Sequence, residues 1–104
     1  KPKKHINRNS DETWILSQND NFYTLQLIGA SKKSSVLNYI NRHNLEKDAH
    51  IFSTTRKGKP WFSVIYKSFS TRSLAVTAST SLPKILKQSQ PWVRKFSQIK
   101  KELR

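Results

Sequence analysis

Cysteine is missing from this chain altogether. Its absence excludes a thiol nucleophile, a disulfide framework and a zinc–thiolate site, and it suits either the cytosol or the bacterial periplasm. No apolar run approaches the roughly 20 residues that span a bilayer, and no signal-peptide pattern is read at the start. Acidic residues are nearly as scarce. Asp11, Glu12, Asp20, Glu46, Asp48 and Glu102 stand against 20 Lys and Arg, for a net charge of +14. Nothing acidic lies between Ala49 and Lys101, a stretch that carries eleven basic residues. So few carboxylates, none spaced as a general acid and base, make an enzyme unexpected, and no catalytic residue is assigned. His43 and His50 show no metal-ligand pattern and read as surface residues, and no serine stands in a nucleophile elbow. No metal or cofactor is therefore expected. The positive field attracts anions, and charge alone leaves nucleic acid, anionic lipid and acidic polysaccharide all open.

What is present is a pattern stated twice. Phe22-Tyr23-Thr24-Leu25-Gln26-Leu27 and Trp61-Phe62-Ser63-Val64-Ile65-Tyr66 each run aromatic, aromatic, hydroxyl, aliphatic, variable, apolar. Each leads through a Ser-, Lys- or Arg-containing stretch into an apolar-periodic segment, a strand-then-helix unit. Residues 1–20 are polar apart from Trp14-Ile15-Leu16 and read as a linker that can dock through Trp14. The opening Lys1-Pro2-Lys3-Lys4 suggests a piece of something longer. Residues 21–104 make one domain with a basic tail, near the lower end of size for a single core.

The first strand is expected from about Phe22 to Ala30. Strict alternation puts Tyr23, Leu25 and Leu27 on a core face and Thr24, Gln26 and Ile28 on the other. Ser34 or Ser35 can cap a first helix containing Val36, Leu37 and Ile40, which ends near His43-Asn44. A β-branched second strand, about His50 to Thr55, turns at Arg56-Lys57-Gly58-Lys59. The third strand, Trp61 to Ser68, directs Phe62, Val64 and Tyr66 inward and Trp61, Ser63 and Ile65 outward. A second helix from Ser70-Thr71 buries Leu74, Ala75, Ala78 and Leu82, and Pro83 ends it or opens a new turn. Pro91 to Phe96 forms a short edge strand, and Ser97 to Arg104 can add a C-terminal helix.

The fold class is α+β: a βαββαβ, ferredoxin-like or RNP-like four-stranded antiparallel sheet. Two helices cover one face, and the opposite face is open. That open face is expected to carry Thr24, Gln26, Ser63, Ile65 and Trp61, joined by Trp92.

Tyr23-Thr24-Leu25-Gln26-Leu27-Ile28-Gly29-Ala30-Ser31, then Gly58-Lys59-Pro60-Trp61-Phe62-Ser63-Val64, then Tyr66-Lys67-Ser68-Phe69 resemble a SPOR domain in order and spacing. Leu82-Pro83-Lys84 and Gln90-Pro91-Trp92-Val93-Arg94 are similar to one version of that family's ending, so the resemblance covers about residues 20–100. Three departures stand out. Gln26 is separated from Gly29 by two residues instead of one, which hints at a bulge or a longer strand end. Ser31 takes the place of a usual Phe, and Lys67-Ser68-Phe69 replaces Gly-Pro-Phe.

The resemblance implies binding to septal peptidoglycan, on glycan strands stripped of stem peptides. It further implies a periplasmic domain, a parent protein anchored in the inner membrane, and targeting of that parent to the division site. By position it carries a glycan-binding role onto Gln26 and Trp61, onto Ser31 with a changed side chain, and onto Trp92 through the ending alone. Thr24, Ser63 and Ile65 join them as neighbours, with Arg56 and Arg94 as rim cations for carboxylates. Other septal proteins are further candidate partners. The domain is expected to be monomeric and to make no membrane contact of its own.

An RRM-like module for single-stranded RNA shares the fold and the charge. Its stacking aromatics would have to alternate outward, whereas Phe62 and Tyr66 point inward and Gln26 fills the centre of the first strand. Nucleic acid is the less favoured partner.

Overall fold

A computed structural model describes residues 7–103. The elements follow as α1 (Asn7–Ser17), β1 (Tyr23–Ala30), α2 (Lys33–Arg42), β2 (Ala49–Arg56), β3 (Lys59–Phe69), α3 (Arg72–Thr80), α4 (Lys84–Lys87), β4 (Trp92–Lys95) and α5 (Phe96–Glu102). The strands form one antiparallel sheet in the order β2-β3-β1-β4. Central β1 and β3 are the two copies of the repeated pattern, so the best apolar strands lie where both edges are paired.

One face builds the larger core. Leu25, Leu27, Ile51 and Val64 from the sheet meet Val36 and Ile40 of α2, Ala75 of α3, and Leu82 and Leu86 around α4. Leu74 does not join them. It is more than half exposed on the flank of α3, beside the buried Ala75. The helix starts also differ in kind. Thr71 caps α3 by accepting from the Leu74 amide at 3.1 Å. The N-cap of α2 is Lys32, which makes no side-chain cap, so neither Ser34 nor Ser35 fills that role.

The second face is not open along its length. The stretch read as linker is, from Asn7 onward, the helix α1, while residues 1–6 lie outside the described part. Ile15 of α1 joins Phe52, Ile65, and Phe96 and Ile99 of α5 in a second buried cluster, with Trp14, Phe22 and Leu103 at its border. The reason is in the strands: with Phe52 and Ile65 on this face, the sheet is apolar on both sides, and each side needs a cover.

Polar contacts hold that cover down. Trp14 stacks on His50 with ring centroids 3.7 Å apart and 9° between planes. Asp11 accepts from the Ile51 amide at 3.0 Å and pairs with His50 Nδ1 at 2.9 Å. His50 is thus half-buried in the cover, not the loop-surface residue its sequence context suggested. Lys100 Nζ reaches the Gln18 carbonyl and Asp20 Oδ1, both at 2.6 Å, which ties α5 to the end of α1.

Two irregularities shift the strands. Between Gln26 and Ile28, β1 advances two residues while β3 advances one, the bulge hinted at by the Gln26–Gly29 spacing. Between Tyr66 and Phe69, β3 carries the extra residue. There Lys67 has φ +58°. It stands where the resembling family has Gly, the residue with least cost in the left-handed region. Lys57 (φ +53°) and Gly58 (φ +78°) make the two-residue β2–β3 turn, and Asn44 (φ +57°) follows α2.

Two substitutions check this account by denaturant unfolding. Ile15→Ala should lower stability by about 2–5 kcal/mol, whereas neighbouring Leu16→Ala should stay within about 0.5 kcal/mol. Similar small losses at both positions would mean that α1 is not docked. Lys67→Gly should raise stability by about 1 kcal/mol by relieving its left-handed backbone.

Candidate carbohydrate-binding face

Cross-strand pairing decides which side chains share the second face. Gln26 lies opposite Trp92 on β4 and Ile65 on β3, Thr24 opposite Arg94, Gly29 opposite Ser63, and Trp61 opposite Thr54. The α1–α5 cover occupies the part around His50, Phe52 and Ile65. Uncovered are the β4 side of that same row, with Gln26 and Trp92, and the hairpin end of the sheet, with Gly29, Trp61 and Arg56, so that these residues form a diagonal strip across the four strands. Perpendicular to the strands, β4 to β3 is two spacings, about 10 Å, and Trp61 is further displaced along β3 from Ile65, the residue in line with Gln26 and Trp92.

The bulge in β1 is what makes the strip. Simple alternation puts Ile28 beside Gln26; instead Ile28 packs against the larger core and Gly29 takes the outward place. A Cβ on Gly29 would lie 2.6 Å from Trp61 Nε1 and 3.1 Å from Cε2. The indole therefore rests on bare backbone, reaching across from β3 onto β1. The Arg56 guanidinium stands 4.5 Å from the centroid of the Trp61 ring, a cation–π contact that steadies it from the hairpin side. Trp92 has no cation–π or ring-stacking partner among the described residues and is 55% exposed, the most exposed aromatic side chain of the strip.

Gln26 is half-buried and held from two sides. Arg94 Nη1 donates to its Oε1 at 2.8 Å, and its Nε2 points at Ser63 Oγ 3.4 Å away. Arg94 is in turn anchored by Glu102 of α5, with Nη2 to Oε2 at 2.6 Å. Its side chain is only 11% exposed, so its charge is matched inside the protein and not offered at the rim.

The nine residues singled out from sequence thus fall into two groups. Gln26, Trp61, Trp92 and Arg56 come together on the accessible strip. Ser31 is exposed just past Ala30, whose partner Phe62 adjoins Trp61, and so sits at the same end. The other four lie inside or beneath. Ile65 is fully buried under α1 and α5. Thr24 is fully buried and donates to the carbonyls of Lys67 at 2.6 Å and Tyr66 at 3.1 Å, satisfying the β3 bulge. Ser63 is 2% exposed, and Arg94 is nearly covered. Alternation predicted Thr24, Ser63 and Ile65 as exposed, and Arg94 was expected as a rim cation, because neither the second cover nor Glu102 could be seen.

Gly29 and Glu102 carry the site without having been singled out. The Gln26–Gly29 spacing was a signal for the first; nothing local marks the second. Basic side chains border the strip at the hairpin, where Arg56, Lys57 and Lys59 have no acidic partner among the described residues. Also among the described residues, no helix is long and apolar enough to cross a membrane.

The SPOR domain family model matches residues 19–95, most of the chain. The cell division protein DamX of Serratia marcescens is 32% identical over 82 residues. That match covers 79% of this chain but only 38% of the relative's length.

Gly29→Ala should force the indole off β1. The expected sign is a displaced Trp61 indole N–H resonance in the proton–nitrogen NMR spectrum, with a stability loss of about 1–3 kcal/mol. An unmoved resonance would show that Trp61 does not rest on this glycine.

Proposed function

The chain belongs to the SPOR domain family, and from that premise we propose that it binds peptidoglycan glycan strands and brings its parent protein to the bacterial division site. The observation that carries this reading is the uncovered strip itself: two tryptophans on either side of a fixed amide, bordered by cations without acidic partners. Saccharide rings have apolar C–H faces and polar rims. The faces pack on Trp92 and on what Arg56 leaves accessible of Trp61, and the rims form hydrogen bonds with the Gln26 amide and the Ser31 hydroxyl.

Charge is compatible with strands lacking stem peptides. Each N-acetylmuramic acid then bears a free lactyl carboxylate, so the strand is a regular polyanion facing a domain of net charge +14. Arg56, Lys57 and Lys59 are the cations placed to meet it. Arg94 is not among them, being paired with Glu102. A long strand offers many equivalent registers, and rebinding along it adds avidity to modest single contacts.

On this reading the domain is a binding module and not an enzyme. It works as a monomer in the periplasm, where the polymer lies, and its parent is held at the septum. The two terminal helices cover the part of this face around Phe52 and Ile65 and leave the strip from Trp92 to Trp61 and Arg56 for the glycan chain.

Binding to purified sacculi before and after amidase removal of stem peptides tests the proposal, with single-stranded RNA as competitor. Capture should increase after stripping and persist against RNA. Equal capture by both preparations would remove the preference for stripped strands, and full displacement by RNA would replace glycan with nucleic acid. In cells, a fluorescent fusion carrying Gln26→Lys or Trp61→Leu should lose its septal band while its circular dichroism stays native. Trp92→Ala should weaken binding about three- to tenfold through lost ring packing, with stability changed by less than about 0.5 kcal/mol.

A further inference from the structure

Gln26 is ambiguous as a recognition residue, because a free amide can present either its carbonyl or its NH2 to a ligand. The structure removes the ambiguity. A guanidinium has donors and no acceptor, so the amide atom facing Arg94 Nη1 at 2.8 Å must be Oε1. Arg94 cannot turn away, since Glu102 holds its other nitrogen, Nη2, at 2.6 Å. The amide is thereby locked with Nε2 on the side of Ser63, whose Oγ at 3.4 Å makes only a long contact. One Nε2 hydrogen engages that hydroxyl, and the second has no partner among the described residues. The charge-assisted bond at Oε1 also polarises the amide and strengthens Nε2 as a donor.

We infer that Gln26 acts as a one-way hydrogen-bond donor, and that Arg94 and Glu102 are the positioning residues that make it so. The group it recognises is an acceptor oxygen on the ligand, a carbonyl or carboxylate, and not a hydroxyl proton. This rests on the glycan reading, in which N-acetyl carbonyls and lactyl carboxylates are the available acceptors. Two further consequences follow. The helix α5 belongs to the recognition apparatus although Glu102 contacts only Arg94. And the acid of the Glu102–Arg94 pair sets an orientation; it does not compete with the ligand for a cation.

The test joins a spectroscopic signature in the free protein to binding of amidase-stripped strands. The wild type should show two well-separated Gln26 side-chain amide protons. In Glu102→Gln and in Arg94→Met these should move toward the positions of a free glutamine. Affinity should fall about tenfold in Arg94→Met and in Gln26→Ala, the scale of a hydrogen bond involving a charged group. The double variant should bind no more weakly than either single one, because both remove the same donor. Because Glu102→Gln leaves the nearly covered Arg94 without its counter-charge, denaturant unfolding of each variant is measured alongside, and affinity is compared only among variants that remain folded.

Tighter binding by Glu102→Gln would overturn the inference in favour of a competing acid. Additive losses in the double variant, or unmoved Gln26 amide protons in both Arg94→Met and Glu102→Gln, would overturn it as well. If Gln26→Ala binds like the wild type, the placement of the glycan on this strip is what fails. The amide resonances still decide the positioning separately.

Discussion

Burial of Ile65 under Phe96, Ile99 and Ile15 is the contact on which the rest of this domain depends. A central strand with Val64 facing one core and Ile65 facing the other commits the sheet to apolar burial on both sides. A fully buried side chain of this size contributes about 1.5–3 kcal/mol, enough to recruit short terminal helices that would not hold in isolation. Once α1 and α5 are seated, they determine how much of the face is left. The same seating brings Glu102 within reach of Arg94, and through it fixes Gln26.

The bulge in β1 does comparable work over a smaller distance. One extra residue sends Leu27 and Ile28 both toward the larger core, and it exposes Gly29 in place of an isoleucine. Trp61 can then lie on backbone while Arg56 steadies the ring. Without the bulge a branched side chain would hold the indole off the sheet, and Trp61 would project instead of forming a floor.

Charge is divided along the same lines. Three of the six acids, Asp11, Asp20 and Glu102, lie on or next to the terminal helices and pair with His50, Lys100 and Arg94. They serve as fasteners for the cover. Cations at the hairpin keep no such partner among the described residues, so the field toward the uncovered strip stays positive. The scarcity of acids is a property of the whole chain, and the structure adds that half of them are placed at the cover.

The βαββαβ succession, the hairpin at Lys57-Gly58 and the strand character of the two repeated segments were legible in the sequence by itself. They rest on local chemistry: alternation within six residues, positive φ at a two-residue turn, β-branched runs. The candidates Gln26, Trp61 and Trp92 were legible too, through their spacing within the family's pattern. Only the tertiary structure decided that Ile65 and Thr24 are interior, that Ile28 yields its place to Gly29, and that Arg94 is spoken for by Glu102. Each of these depends on a partner far away in the chain, whether α1 before the first strand, α5 after the last, or a bulge defined by its neighbour's register. Alternation tells which way a side chain points, and only the fold tells what lies there to meet it.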